Sequence, residues 1–127
     1  MIVYGKFFHG LGRGSQLIEL DKQRLKGLLK YEPFCGTLNI KLDKSLPTKQ
    51  IVNVRIKRLI HLMRSGIQKI EANIIPAKIK IRGSEEDCWI FRQIDGPYED
   101  DVIEIIHKEC LEKKYNLKEG DIIEIIV

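Results

Sequence analysis

The sequence predicts a mainly β protein, a small barrel accompanied by two short helices. Segments rich in β-branched and aromatic residues recur along the whole chain, turn residues separate them at short intervals, and only two segments show helical spacing of apolar residues. Many short strands with few helices are typical of barrels. Because 127 residues is the usual length of one domain, we expect a single domain over residues 1–127.

The first third of the chain is predicted to hold two strands and one helix. Residues 2–8 are rich in β-formers and lead into a glycine-rich segment. Leucines at three- and four-residue spacing then predict a helix that begins after the capping residue Asp21 and ends near Tyr31. Residues 36–42 alternate between apolar and polar side chains, which is the pattern of a half-buried strand.

The rest of the chain is predicted to consist almost entirely of strands. Turn signals, among them Pro76, divide its middle part into four strands. These strands span 51–60, 67–75, 77–82 and 87–94. A short helix is predicted over 108–115, between strands at 102–106 and 122–127.

Composition and cysteine spacing exclude several classes of protein. With 43% hydrophobic and 31% charged residues, the chain is typical of a folded globular protein. No apolar run approaches the ~20 residues of a membrane span and the first residues do not resemble a signal peptide, so we expect a cytoplasmic protein without membrane contact. Cys35, Cys88 and Cys110 form no C-x-x-C pair, and we predict buried thiols rather than disulfides or a zinc site.

Positive charge is concentrated in the first half of the chain. Residues 1–60 contain 12 Lys and Arg against 4 Asp and Glu, whereas residues 61–127 contain 10 against 14. A basic surface attracts polyphosphates or nucleic acids. Solvated surface lysines are the simpler explanation, and the charge alone does not decide between them.

A glycine-rich segment follows the first predicted strand. It reads Gly10, Leu11, Gly12, Arg13, Gly14, Ser15. Glycines let backbone N–H groups approach an anion closely, so a phosphate is a natural ligand. The segment lacks the Lys-Ser/Thr of a Walker A loop and the βαβ context of a dinucleotide fingerprint, and taken alone it is better explained as a plain tight turn.

Three further side chains are candidates for chemistry. Thr37 and Asn39 lie two residues apart on a predicted strand, so their oxygens face the same side, as magnesium ligands would. Glu104 interrupts an apolar strand, where a carboxylate can orient or deprotonate a substrate hydroxyl. A solvated strand face explains all three residues without any function.

The order of these motifs resembles that of the CTP-dependent riboflavin kinases of archaea. The resemblance extends over essentially the whole chain, and its most specific part is Glu32-Pro-Phe-Cys-Gly-Thr-Leu-Asn39. The other parts are the Gly-Leu-Gly-Arg-Gly segment, Val102-Ile-Glu-Ile-Ile106 and Leu117-Lys-Glu-Gly-Asp121. The resemblance implies a six-stranded cradle-loop barrel with Greek-key-like connections.

The resemblance also implies roles for individual residues. Residues 10–15 would hold the CTP phosphates, Thr37 and Asn39 would bind Mg²⁺, and Glu104 would contact the flavin and act in catalysis. The nucleotide would also contact the segment after the strand at 102–106, which reads Glu109, Cys110, Leu111, Glu112. Gly96 stands in the region that contacts the flavin.

Two positions depart from the pattern of the family. Glu112 stands where an arginine is expected, and the segment around Gly96 lacks the threonine that the family offers to the flavin. These departures bear on nucleotide choice and flavin affinity. They leave the expected magnesium pair unaffected.

The implied activity is transfer of the γ-phosphoryl group of CTP to the ribityl 5′-hydroxyl of riboflavin, with Mg²⁺, to give FMN and CDP. We therefore expect small-molecule partners, no nucleic acid and a monomer. Two alternatives remain. One is an AbrB-like DNA-binding regulator, suggested by the basic first half and the Leu-Lys-Glu-Gly-Asp hairpin, and the other is a non-catalytic nucleotide- or flavin-binding module.

Overall fold

A computed structural model describes residues 1–10, 18, 22–43, 54–63, 66–94 and 101–127. Seven strands and two helices lie in these ranges, which confirms the mainly β fold class. In chain order they are β1 (Ile2–Phe8), α1 (Lys22–Leu29), β2 (Leu38–Leu42), β3 (Val54–Met63), β4 (Gly66–Ile81), β5 (Ser84–Ile94), β6 (Val102–Ile106), α2 (Leu111–Lys114) and β7 (Ile122–Ile126).

Six of the strands close into an antiparallel barrel. The order around the barrel is β4, β5, β6, β2, β1 and β7, and β7 returns to pair with β4. β3 stands outside this ring and pairs with β4. Closure satisfies the strand edges that an open sheet would expose. The six-stranded barrel with two helices is therefore confirmed.

The strand predicted to break at Pro76 is continuous, so this part of the prediction was wrong. β5 pairs with one edge of β4, while β3 and β7 share the other edge, at residues 66–74 and 78–80. Pro76 lies between these two stretches. Since proline has no N–H to donate to a neighbouring strand, a gap in the pairing accommodates it without interrupting the strand.

The turn between β4 and β5 follows the sequence signal at Gly83. Ile81 and Ser84 are the last paired residues, and the two residues between them both have positive φ, 49° at Arg82 and 84° at Gly83. This is the geometry of a type I′ turn, whose twist matches that of the strands it joins.

The barrel interior is filled by alternating apolar residues of its strands. On β2 these are Leu38, Ile40 and Leu42, and on β6 they are Ile103 and Ile105. Gly5 of β1 also faces inward, where a Cβ would lie 2.4 Å from Ile40 Cγ2 and 2.8 Å from the Lys41 carbonyl oxygen. Glycine is therefore required for the close approach of β1 to β2.

The helix α1 covers part of the outer surface of the barrel. Leu25 and Leu29 are buried in a second apolar cluster with Ile74, Phe91 and Ile106, which come from β4, β5 and β6. The predicted leucine face is thus confirmed. The predicted capping residue Asp21 lies outside the described residues.

The cysteine prediction is correct only in part. Cys88 is buried, and burial raises the pKa of its thiol to about 12. Cys35 is exposed and Cys110 is half-buried, so the expectation of three buried thiols was wrong. In the ranges that the structure describes, no helix has the length and apolarity needed to cross a bilayer.

Candidate active site

Two buried polar residues face each other on the outer surface of the barrel. Asn39 of β2 and Glu104 of β6 are cross-strand partners. Their chain neighbours Ile40 and Ile103 point into the barrel, so the alternation of a strand directs Asn39 and Glu104 outward. Both are nevertheless buried, with exposed fractions of 9% and 8%. Polar groups in such a position need partners.

Thr37 completes this group. Its hydroxyl donates a hydrogen bond of 2.8 Å to Glu104 Oε1. The loop before β2 is held against the end of β6, because the Phe34 N–H donates to the His107 carbonyl at 2.9 Å and the Tyr31 hydroxyl reaches the Ile106 carbonyl at 3.5 Å. These contacts explain how the motif from Tyr31 to Asn39 places Thr37 beside Glu104.

Burial changes the acidity of the Glu104 carboxyl group. Removal from water raises its pKa above the ordinary value of 4.5, and the hydrogen bond from Thr37 opposes this shift without cancelling it. A carboxylate with a raised pKa accepts a proton more readily than an exposed one. Glu104 therefore has the property of a general base for a substrate hydroxyl.

Asn39 and Thr37 offer neutral oxygen atoms to a cation. Asn39 Oδ1 is buried and has no hydrogen-bond partner among the described residues. Because the Thr37 hydroxyl donates its one proton to Glu104, the lone pairs on its oxygen remain for another ligand. Hard oxygens of this kind suit Mg²⁺ when phosphate oxygens and water complete the coordination. The residues present thus fit the expected metal.

No metal-binding cluster of His, Cys, Asp or Glu occurs in the described part of the chain. Two neutral oxygens do not hold Mg²⁺ tightly by themselves, since this ion usually keeps several waters and binds substrate phosphates as well. We therefore expect metal and nucleotide to bind together.

A cavity of about 630 Å³ lies on the same outer surface. Its lining includes Phe8 of β1, Val102 of β6 and the backbone at Gly120. Phe8 is the cross-strand partner of Asn39, and Val102 lies two residues before Glu104. The volume is within the range of small-molecule sites, and the cavity lies beside the Asn39–Glu104 pair, which is not part of its lining.

Two lysines stand side by side in this cavity. Lys6 and Lys41 are directly opposed on β1 and β2, and Lys41 also pairs with Asp101 at 3.7 Å. Like charges in cross-strand register repel each other. Asp43 and Glu119 also line the cavity, so its charged side chains balance, and the two lysines offer positive charge to a ligand carbonyl only locally.

The predicted nucleotide segment lies next to the start of the glycine-rich segment. Glu112 Oε1 is 2.6 Å from His9 Nε2, and Glu119 Oε1 is 3.0 Å from His9 Nδ1. His9 directly precedes Gly10. The residue that replaces the expected arginine therefore binds a histidine of the chain itself.

A second polar cluster anchors the nucleotide segment to β5. Glu86 accepts hydrogen bonds from Tyr115 Oη at 2.6 Å and from Lys114 Nζ at 2.8 Å, and it lies 3.4 Å from His107 Nε2. Burial opposes ionisation of Glu86, but these contacts outweigh it and lower the pKa. His107 Nδ1 accepts the Glu109 N–H at 3.0 Å, so its other nitrogen carries the ring proton.

The structure brings together only some of the residues that the sequence singled out. Thr37, Asn39 and Glu104 form one group, and Glu112 lies beside His9, next to Gly10. The remaining predicted residues of the glycine-rich segment, and Gly96, lie outside the described residues. No local pattern in the sequence indicates His9, Glu86 or His107 as parts of a site, since their partners are distant in the chain.

Comparison with known proteins places the chain in a family. Residues 7–127 match the family model CTP-dep_RFKase, which is described as a domain of unknown function, DUF120. The chain belongs to this CTP-dependent riboflavin kinase family. Thr37, Asn39 and Glu104 all lie inside the matched region, and so do His9 and Glu112.

Proteins named riboflavin kinase are similar to this family member over nearly its whole length. A Pyrobaculum aerophilum protein is 35% identical over 95% of the chain, and a Staphylothermus marinus protein is 30% identical over 97%. An Ignicoccus hospitalis protein is 31% identical over 97%. The chain spans 58% of the Pyrobaculum aerophilum protein but 88% of the Staphylothermus marinus protein.

Proposed function

We propose that this protein transfers the γ-phosphoryl group of CTP to the ribityl 5′-hydroxyl of riboflavin, giving FMN and CDP. The observation that carries the proposal is the contact between Glu104 and Thr37, with Asn39 in cross-strand register beside them. One buried group thereby combines a proton acceptor with two neutral oxygen ligands. The similarity to proteins named riboflavin kinase supports this choice of reaction.

Glu104 is proposed to orient the 5′-hydroxyl and to accept its proton. As the hydroxyl oxygen forms a bond to the γ-phosphorus, the bond from that phosphorus to the bridging oxygen of CTP breaks, and the electron pair leaves with CDP. The raised pKa of Glu104 favours uptake of the proton at this stage. Its burial keeps competing water away from the carboxylate.

Thr37 and Asn39 are the proposed magnesium ligands. Bound Mg²⁺ supplies positive charge that neutralises the phosphate oxygens. The chain contributes the unpartnered Asn39 Oδ1 and a Thr37 oxygen whose orientation is fixed by Glu104. Both residues sit on or next to β2, which positions them more precisely than a long loop would.

The remaining ligand contacts are assigned in two places. Residues 10–15 and the segment from Glu109 to Glu112 are proposed to hold CTP, and the family name supports CTP as the donor. The cavity between Phe8 and Val102 is proposed to take the flavin ring, with Gly96 as a further flavin contact. We propose a cytoplasmic monomer with small-molecule partners and no nucleic acid.

A second candidate is a module that binds nucleotide or flavin without transferring phosphate. The departure at Glu112 favours it, since a carboxylate in place of the family's arginine removes one contact to the nucleotide and is itself bound to His9. Nothing in the described residues favours a DNA-binding regulator, for which a buried carboxylate beside an unpartnered amide oxygen serves no purpose.

The test is a phosphorylation assay with purified protein, riboflavin and Mg²⁺, in which CTP is compared with ATP, GTP and UTP and FMN is followed by chromatography. We expect FMN to form preferentially from CTP. Thr37→Val and Asn39→Ala should each lower turnover by at least about tenfold and raise the Mg²⁺ concentration required. If no nucleotide yields FMN while riboflavin or CTP still binds, the binding module is the correct function.

A further inference from the structure

His9 is held at both ring nitrogens by carboxylates. Nε2 lies 2.6 Å from Glu112 and Nδ1 lies 3.0 Å from Glu119, while the His9 backbone N–H donates to the same Glu119 oxygen at 3.0 Å. The ring also makes an edge contact with Phe7, with centroids 5.1 Å apart. Three chain elements, β1, α2 and the turn before β7, thus meet at one imidazole.

This geometry defines the charge state of the ring. Ionised carboxylates only accept hydrogen bonds, so both ring nitrogens of His9 must donate, and only the imidazolium has two N–H groups. Neutral histidine has one N–H and would lose one of the two contacts. In agreement, the hydrogen bond that His9 donates to Glu112, followed by the one it donates to Glu119, raises the pKa of His9 above 6.5.

His9 lies where the proposed nucleotide contacts converge. It directly precedes Gly10 and contacts Glu112, the last residue of the proposed nucleotide segment, while its other partner, Glu119, lines the cavity proposed for the flavin. With His9 protonated, the three side chains carry a net charge of −1, from +1 and two charges of −1. When His9 is neutral, the net charge becomes −2, which repels a triphosphate more strongly.

We propose that His9 is a positioning residue for the nucleotide: it ties the start of the glycine-rich segment to α2 and to the turn before β7, and it offsets the two carboxylates beside the phosphates. This inference rests on the proposed function. His9 acts through Gly10 and Glu112, so its loss should weaken nucleotide binding and leave the chemical step nearly unchanged.

The sign of the pH dependence follows from the raised pKa. The groups that face His9 are the carboxylates of Glu112 on α2 and Glu119 of the turn, and the uncharged ring of Phe7. We call the two hydrogen bonds from the His9 ring to Glu112 and Glu119 the His9 bridge. This bridge is complete below pH 6.5, the pKa of histidine in the unfolded chain, and is lost as pH rises through the pKa of His9 in the folded protein. We expect the KM for CTP to rise over that range.

The first experiment observes the bridge directly and needs no activity. Titration of ¹³C-labelled histidine by NMR should show His9 with a pKa above 6.5, assigned by loss of its signal in His9→Gln. Glu112→Gln should move that pKa towards 6.5. A wild-type His9 that titrates at 6.5 and does not respond to Glu112→Gln overturns the proposal.

The second experiment measures nucleotide affinity. His9→Gln should raise the KM for CTP by about two- to fivefold, the size expected for exposed ion pairs, with kcat within about twofold. In the Glu112→Gln background, His9→Gln should raise the KM by a smaller factor than in the wild type, because only the contact with Glu119 is then left to lose. Lys78→Gln, which removes an exposed ion pair with Asp87 on β4 and β5, is the matched control and should change nothing.

Comparison of pH profiles removes the effect of ionisation of CTP itself. The ratio of the two KM values, His9→Gln over wild type, should fall towards one as pH rises. If the NMR titration shows the raised pKa of His9 but the KM ratio is one at every pH, the positioning role is overturned. A wild-type protein that neither binds nor uses CTP overturns the proposed function and the nucleotide role with it, and the NMR titration then still reports separately whether the bridge exists.

Discussion

The two faces of β2 and β6 differ sharply, although they belong to the same pair of strands. The inner face carries Ile40 and Ile103, which are cross-strand partners and almost completely buried. The outer face carries Asn39 and Glu104, equally paired and nearly as deeply buried. Burial of the isoleucines stabilises the barrel, whereas burial of the unpartnered Asn39 Oδ1 and of the Glu104 carboxylate costs stability. A protein retains such a cost where the groups have a function.

The largest expected effect comes from Glu104→Gln, which removes the proposed base and the buried charge while keeping the shape. Turnover should fall by about 10²- to 10⁴-fold. Stability at pH 7 should rise by about 0.5–2 kcal/mol, as measured by urea unfolding. Because the raised pKa of Glu104 means that its ionised form is the costly one, this gain should disappear below pH 4.5.

Glu124→Gln on β7 is the matched control for this variant. It removes a half-buried carboxylate on a strand outside the site, so it should leave turnover unchanged. A Glu104→Gln protein that is less stable than wild type at pH 7 would contradict the conclusion that burial of the Glu104 carboxylate lowers the stability of the fold.

The inner face should respond in the opposite way. Ile103→Ala leaves a cavity in the barrel interior and should lower the free energy of unfolding by about 2–5 kcal/mol. The kcat of the protein that remains folded should be unchanged, since Ile103 points away from the site. Ile122→Ala, at an exposed position of β7, should cost far less in the same denaturation experiment. A large fall in kcat for Ile103→Ala would mean that packing on the inner face also positions the site on the outer face.

Gly5 tests the packing that holds the outer face in position. A Cβ at Gly5 would lie 2.4 Å from Ile40 Cγ2, so Gly5→Ala should force β1 away from β2 and cost about 1–3 kcal/mol. Gly27→Ala is the matched control, because a Cβ there meets no atom within 4 Å. Thermal unfolding of the two variants should separate them clearly, and equal stabilities would show that β1 and β2 are further apart than described.

The smallest effect is expected at Glu86, a carboxylate that, unlike Glu104, has several partners. Glu86→Gln should cost about 1 kcal/mol at pH 7. Since its folded pKa is lowered, the contribution of Glu86 is present above 4.5 and is lost as pH falls through the folded pKa. The difference from wild type should therefore shrink on acidification, whereas exposed Glu85→Gln should show little change at any pH.

Much of the fold was predictable because its signals are local. The alternation in residues 38–42, the leucines of α1 and the turn at Gly83 each identify an element from neighbouring residues alone. Pro76 misled the prediction because the pairing gap that accommodates it depends on where β3 and β7 end.

The sequence by itself determined which residues carry polar atoms on otherwise apolar strands, and so identified Thr37, Asn39 and Glu104 as candidates. Only the tertiary structure decided that Glu104 lies opposite Asn39, that Thr37 donates to it, and that His9 bridges Glu112 and Glu119. These contacts join residues far apart in the chain. Strand register and barrel closure set them, and both depend on the packing of all strands together rather than on any local pattern.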